Sequence, residues 1–206
     1  MIQAPLLILD PTGNWEKIAK AQRGYLFICL LHLLPLLVIT IGLEVYALIH
    51  LGERRGITDQ YSKISELVAL RYGAVQFGLN LLLILCGAKL VQKLANNFHA
   101  QHTYHQCFTA LAYGLSPLFL GRILDAVPFL NSWACFGIGM MLSVAVLYQG
   151  IPLLLKPDYA KALGLYFVTV ALMSGLAAAA HLLALLILHE KINAGVFDKI
   201  RHVFGL

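Results

Sequence analysis

The segment FHAQHTYHQC, residues 98–107, contains the side chains whose spacing most resembles that of metal ligands in this chain. They are His99, His102, His105 and Cys107. On a helix the three histidines would step round the surface by about 60° each, and imidazole and thiolate are common zinc ligands. However, Cys107 would point elsewhere, and no carboxylate is close in sequence. We interpret these side chains as polar loop residues, with an open metal face as the alternative.

Arg122 and Asp125 are a second candidate pair, because they lie in the otherwise apolar stretch AYGLSPLFLGRILDAVPFL, residues 112–130. A spacing of three residues places both on one face of a helix. We expect an ion pair that closes the end of an apolar helix at a membrane interface. The alternative is a functional charged site in a cavity, because ionisable residues within membranes are candidates for function.

Three more ionisable residues, His32, Glu44 and His181, lie in long apolar runs. Glu44 would lie about 29 Å from Tyr25 along a helix, so we expect it to emerge at the far interface. A role in handling protons or ions is the alternative. The two histidines are expected to form hydrogen bonds between helices, with a role in transport as their alternative.

The elements that must position these residues are long apolar runs. The chain has 206 residues, of which 60% are hydrophobic and 12% charged, against about 25% charged in a soluble domain. A bilayer core needs roughly 20 helical residues. Five runs meet that length: Tyr25 to Leu51, Tyr72 to Ala95, Phe108 to Val127, Trp133 to Leu155 and Ala162 to Leu188. The composition predicts an all-α integral membrane bundle of five transmembrane helices, and the first run is too long for a cleaved signal peptide.

The segments that flank these runs favour amphipathic interfacial helices. LDPTGNWEKIAKAQRG, residues 9–24, begins with the candidate N-caps Asp10 and Thr12, and Trp15 is expected to anchor the helix at the interface. A second surface helix is expected before the second span, from Tyr61 through Val68, and a third in the tail. The predicted domains are an N-terminal interfacial helix (1–24), a five-span membrane domain (25–190) and an amphipathic C-terminal tail (191–206).

Two features predict how the helices pack. Pro117 removes one helical hydrogen bond and frees the carbonyl of Tyr113, and an unsatisfied backbone group is costly in lipid. The third span should therefore bend and lie inside the bundle. In the fifth span Ala171, Gly175 and Ala179 repeat every four residues, which allows helices to approach closely. We expect internal packing there, with self-association or binding of another membrane protein as the alternative.

The remaining composition excludes several classes of function. The net charge is +5, but Lys and Arg are spread over all the loops without a basic stripe, so we expect membrane lipids as partners and no nucleic acid. The spread is almost even between the two sides, so charge does not predict orientation. No nucleophile elbow, metalloprotease, P-loop or dinucleotide motif occurs. We therefore expect no enzyme activity, no catalytic residues and no cofactor or metal.

The stretches ALAYGLSPLFLGRILDAVPFLNSW and LYQGIPLLLKPDYAKALGLYFVTV resemble the Yip domain family, named for Ypt/Rab-interacting proteins. The opening LDPTGNWEKIAK is similar to the short helix that precedes the first span in bacterial members. The matching residues include Tyr113, Ser116, Pro117, Pro152 and Lys156. The resemblance implies a five-span bundle in the inner membrane with a cytoplasmic N-terminus. The chain lacks the long N-terminal region and DLYGP-type motif of eukaryotic relatives, so we do not carry their association with small GTPases over to it.

From these features we expect a non-enzymatic membrane protein that organises membrane or binds protein partners, in the manner of a small subunit of a membrane complex. A transporter or channel for ions or small molecules is the rival class. It would require a water-accessible path joining residues such as Pro117, His32, His181 and Arg122. A bundle filled by its own side chains would favour the first class.

Overall fold

The computed structural model describes residues 3–54, 61–62, 64–98, 103–127 and 130–188 of this chain. Nine α-helices lie within these ranges, and three short helical segments of other types adjoin them. The α-helices are α1 (Gln3–Leu9), α2 (Pro11–Ala21), α3 (Tyr25–Ile28), α4 (Leu34–His50), α5 (Glu66–Asn97), α6 (Tyr104–Gly114), α7 (Ser116–Gly121), α8 (Ser132–Leu155) and α9 (Ala162–Leu188). The others are a π-helix at Cys29–Leu33 and 3₁₀-helices at Arg122–Ala126 and Tyr159–Lys161.

Five helical stretches within the described residues are long and apolar enough to span a membrane. They are Tyr25–His50, Glu66–Asn97, Tyr104–Ala126, Ser132–Leu155 and Ala162–Leu188. The first combines α3, the π-helix and α4, and the third combines α6, α7 and a 3₁₀ turn. The predicted fold class, an all-α bundle with five transmembrane helices, is confirmed.

The third span lies inside the bundle, as the proline at its centre predicts. In its most apolar window 78% of the residues are buried, against 22–44% in the other four spans. The α-helix is interrupted at Leu115, and Pro117 occupies the first turn of α7. The Leu115 N–H at the end of α6 is shared between the carbonyls of Leu111 and Tyr113, so the carbonyl freed by the proline has a contact within the chain.

Close packing of the third span against α8 depends on two glycines. A Cβ atom on Gly121 would lie 2.8 Å from the Cα atom of Gly139, and a Cβ atom on Gly139 would lie 3.1 Å from the backbone of Leu118. Neither helix can therefore carry a side chain at this crossing. Ser143 of α8 accepts a hydrogen bond from the Leu118 N–H over 2.9 Å, which satisfies a donor left open by the break in the helix.

The N-terminal helices pack onto the bundle instead of resting on the membrane alone. Asp10 caps α2 and accepts from the Gly13 N–H over 3.2 Å, as predicted. The expectation of a Trp anchor in the headgroups was wrong: Trp15 is fully buried, and its Nε1 donates to the Val146 carbonyl of α8 over 2.9 Å. The ring fits there because α8 has a glycine, Gly150, at which a Cβ would lie 2.4 Å from the indole.

The second predicted surface helix begins later than expected. Tyr61–Ser62 form a short antiparallel strand pair with Glu53–Arg54, and α5 starts at Glu66 after its N-cap Ser65. It then continues without a break to Asn97. The N-cap explains this start, because the Ser65 hydroxyl accepts from the Val68 N–H over 3.4 Å. The predicted tail helix, residues 191–206, lies outside the described residues.

Candidate functional site

Glu44 is buried in the bundle and does not emerge into the interface as predicted. Only 3% of its surface is exposed. The Tyr72 hydroxyl donates to Oε1, and Gln76 Nε2 donates to Oε2 over 3.0 Å. Both donors lie on α5, so Glu44 joins the first span to the second. A buried carboxylate is tolerated only where hydrogen bonds replace water, and here each oxygen has one.

Arg122 lies on the opposite side of the same polar region and contacts His181 of α9. The Arg122 Nη2 atom donates to Nδ1 of His181. Since a guanidinium can only donate, Nδ1 is the acceptor and His181 is neutral, with its proton on Nε2. That proton faces the Ser132 hydroxyl 3.3 Å away. The predicted hydrogen bonding of His181 between helices is therefore confirmed.

The imidazole of His181 is enclosed by two aromatic rings of α8. It stacks on Phe136 with a centroid distance of 5.1 Å and an angle of 12°, and it meets the Trp133 ring edge-on at 4.9 Å. These contacts fix the plane of the ring, so Nδ1 is held toward Arg122. The guanidinium is thereby positioned by α8 and α9 together.

The structure describes both Arg122 and Asp125, and they do not form the predicted ion pair. Arg122 is 5% exposed and turns to His181. The two carboxylate oxygens of Asp125 are shielded from solvent and have no hydrogen-bonding partner of good geometry among the described residues, although the Ser132 and Cys135 side chains lie nearby. The prediction failed because Arg122 finds a buried acceptor on another span, which sequence spacing does not reveal.

These side chains form one group, the inner polar cluster, comprising Glu44, Tyr72, Gln76, Asn80, Arg122, Asp125, Ser132 and His181. Gln76 connects its two halves, since it donates to Glu44 and lines one cavity together with Asn80, Arg122 and His181. Two carboxylates and one guanidinium therefore share a region of low dielectric, where unbalanced charge is costly.

A small cavity lies within the inner polar cluster. Its volume is about 10 Å³, and its polar lining comprises Gln76, Asn80, Arg122 and His181. The Gln76 Oε1 and Asn80 Nδ2 atoms are buried there without a partner among the described residues. A cavity of about this size holds one water molecule where polar partners surround it. The cavity has the size and lining of a site for a single bridging water, and it has no room for a solute.

His32 forms a separate site in the first span. Its Nε2 lies 2.8 Å from the Ser116 hydroxyl, whose only proton is donated to the Ala112 carbonyl over 2.9 Å. Nε2 of His32 therefore donates to Ser116, which confirms its predicted hydrogen bond between helices. The His32 ring also packs on Tyr113, with centroids 4.2 Å apart.

The backbone that carries His32 is a π-helix, Cys29–Leu33. Pro35 follows it within the first turn of α4, and proline both lacks an N–H and collides with the carbonyl four residues earlier. The wider turn accommodates that defect. Such insertions are frequent at functional sites.

A larger cavity, which we call the interfacial pocket, lies where α2 ends, α6 begins and α8 ends. Its volume is about 320 Å³. Lys156 and Tyr113, two residues of the sequence resemblance, both line it. Arg23 lines it as well, with its guanidinium 5.1 Å from the Phe27 ring. Pro152 is an exposed residue inside α8 and accepts from the Lys156 N–H over 3.1 Å.

Among the described residues, no group of three His, Cys, Asp or Glu side chains is arranged to hold a metal ion. His99 and His102 of the histidine segment lie outside those residues. His105 is described, and its Nε2 donates to the Arg23 carbonyl over 2.6 Å. It therefore joins the start of α6 to the segment after α2.

A family model described as the Yip1 domain matches residues 6–182. The chain belongs to the Yip1 domain family. The resemblance drawn from its motifs is thereby confirmed, and the match covers the N-terminal helices together with almost all of the five spans. No curated protein and no solved structure matches the chain.

The small-residue row of this Yip1 domain faces outward, contrary to the predicted internal packing. Ala171, Gly175 and Ala179 are all exposed, and a Cβ atom on Gly175 would meet nothing within 4 Å. The buried face of α9 instead includes Thr169, Met173, Ala177 and His181, each two positions from a member of the row. Spacing alone identified the row but not the side of the helix that packs on the bundle.

Sequence reasoning missed the three residues of α5 in the inner polar cluster. Tyr72, Gln76 and Asn80 recur every four residues and so share one face of the helix. A polar row within an apolar run was the signal for them, because such side chains turn toward the bundle interior.

Proposed function

We propose that this Yip1-domain protein is a non-enzymatic membrane protein that binds another membrane protein through the outer face of α9. Its role would be to organise membrane or to act as a small subunit of a complex. The outward position of Ala171, Gly175 and Ala179 carries the proposal.

The position of α9 in the bundle supports this choice of surface. Only 22% of its most apolar window is buried, the smallest share of the five spans. In lipid, helices associate through close packing and hydrogen bonds, and small residues allow their backbones to approach. The occupant that fits this face is a transmembrane helix, since it alone can use a row of small residues at membrane depth.

The interior of the bundle is consistent with a scaffold. Glu44, Arg122 and His181 turn inward and find partners within the chain, whereas Arg71, Lys89 and Lys93 of α5 are exposed. Contact with other molecules then falls to the apolar outer surface and to the helix ends.

The test is the substitution Gly175→Leu in the full chain, because a larger side chain at this position blocks close approach without touching the bundle. Crosslinking in native membranes followed by denaturing gel electrophoresis should show a discrete complex for the parent and its loss for the variant. Gly42→Leu is the matched control, since Gly42 is another exposed glycine of a span with nothing near its Cβ position. If the two variants give equal amounts of crosslinked complex, the outer face of α9 is not the contact.

We further propose that the protein lies in the inner membrane of a bacterium with a cytoplasmic N-terminus. The resemblance to bacterial members supports this orientation, and the even charge distribution does not oppose it. Reporter fusions at the two ends should report opposite sides, with the N-terminus inside.

A transporter or channel is the second candidate, and the inner polar cluster is the observation that favours it. Ionisable groups within a bundle are typical of proton and ion pathways. Two observations weigh against transport. The cavity in the cluster is only about 10 Å³, and neither this cavity nor the interfacial pocket is lined by both His32 and His181. Ion or proton flux into proteoliposomes that depends on Glu44 would support transport and contradict the scaffold.

A further inference from the structure

The interfacial pocket lies at the depth of the lipid headgroups. The first span begins at Tyr25, the third at Tyr104, and the fourth ends at Leu155. All three ends lie on the same side of the bundle, because successive spans run in opposite directions. Most of the pocket's lining lies at or beside these ends, and Thr109 and Tyr113 extend it into the third span, so its mouth falls where a bilayer would pass from hydrocarbon to headgroups.

Its lining combines positive charge with an apolar floor. Arg23 and Lys156 are its cations, and its described lining contains no carboxylate. The start of α6 contributes polar groups from Thr103, His105 and Gln106. The apolar part of the lining comprises Ile18, Ile28, Leu153 and Leu154. The Arg23 side chain is exposed, and its guanidinium lies 5.1 Å from the centroid of the Phe27 ring. Such a lining fits an anion attached to an apolar body.

Two residues of the pocket have an unusual backbone conformation. Among the described residues other than glycine, only Gln22 and Lys156 have positive φ, at 40° and 41°. Each ends a helix, α2 and α8 respectively. Glycine is the usual residue at such left-handed positions, and other residues persist there where the surroundings or function require them. At both positions the chain keeps a long polar side chain beside the pocket.

We propose that the interfacial pocket binds the phosphate of an anionic lipid headgroup, with Arg23 and Lys156 as its counter-charges. The volume of about 320 Å³ accommodates a headgroup, while the acyl chains remain in the bilayer beside the pocket. A basic residue near anionic lipid contributes about 1 kcal/mol, which corresponds to roughly a fivefold change in affinity.

The experiment titrates full-length protein, purified and delipidated in a neutral detergent, with phosphatidylglycerol, phosphatidylcholine or inorganic phosphate while thermal unfolding is followed. Phosphatidylglycerol should raise the Tm, and phosphatidylcholine should have a smaller effect. Arg23→Gln and Lys156→Gly should each raise the apparent Kd for phosphatidylglycerol, read from the titration, about fivefold. Without lipid, Lys156→Gly should melt at or above the parent temperature, because glycine relieves the left-handed conformation.

Two controls separate the pocket from general effects. Lys17→Gln and Lys20→Gln each remove an exposed cation of α2 that lies outside the pocket. Both should respond to phosphatidylglycerol as the parent does. Three results would overturn the proposal. The first is an equal response of the parent to the two lipids, and the second is an unchanged response to phosphatidylglycerol in Arg23→Gln and Lys156→Gly. The third is a loss of that response in either control as large as in these two variants. Inorganic phosphate that stabilises the protein as strongly as phosphatidylglycerol would assign the pocket to a soluble anion instead.

Discussion

The hydroxyl of Tyr72 should contribute measurably to stability, because it donates to the buried carboxylate of Glu44. Tyr72→Phe keeps the ring, which is 1% exposed, and removes only this donor. A hydrogen bond to a charged group is worth about 1.5–3 kcal/mol. For a chain of this length that loss lowers the Tm by roughly 3–12 °C.

The assay is unfolding in detergent, with Tyr46→Phe as the control. Tyr46 lies on the same span as Glu44 but is 62% exposed, so its variant should stay within about 0.5 kcal/mol of the parent. A double-mutant cycle sharpens the test: in a Glu44→Leu background the Tyr72 hydroxyl has lost its acceptor, and Tyr72→Phe should cost little more. If the two substitutions are additive within about 0.5 kcal/mol, the two side chains do not interact and the reasoning is refuted.

Three further substitutions test the packing around the third span and the cluster. Ser143→Ala should cost about 1–3 kcal/mol of unfolding free energy, because the Leu118 N–H then lacks a partner; an unchanged melt would show that water replaces the hydroxyl. Gly150→Ala should cost about 1–3 kcal/mol of unfolding free energy, since its new methyl group collides with Trp15. A parent-like Tm would contradict the close contact between Gly150 and the Trp15 ring. Arg122→Leu should cost about 1–3 kcal/mol of unfolding free energy, as it leaves the buried Nδ1 of His181 without its donor, and a parent-like Tm would show that this contact does not stabilise the bundle.

The sequence predicts the spans well, because hydrophobic length alone determines whether a helix can cross a bilayer. It also predicts the central position of the third span, since the backbone break at Pro117 needs protection from lipid. Both arguments use only local chemistry. The N-cap Asp10 and the apolar face of α2 were found in the same way.

Contacts between distant residues could not be predicted from local spacing. Arg122 contacts His181, which lies 59 positions away, and nothing near Arg122 indicates that acceptor. Trp15 was assigned to the headgroups because tryptophan is common there, but a glycine on α8 creates space for it inside the protein. The predicted orientation of the Ala171 row was wrong for the same reason. A repeat defines one face of a helix, but the packing of the other helices determines which face is buried.

Photo-crosslinking in native membranes tests the central claim, that the outer face of α9 contacts another membrane protein, most directly. Benzoylphenylalanine is placed at Ala179, on that face, or at Val38, an exposed residue of the first span that is 59% accessible. The account predicts discrete protein adducts from position 179 and only lipid adducts from position 38. Lipid adducts alone at position 179, or the same protein adducts at both positions, would contradict it.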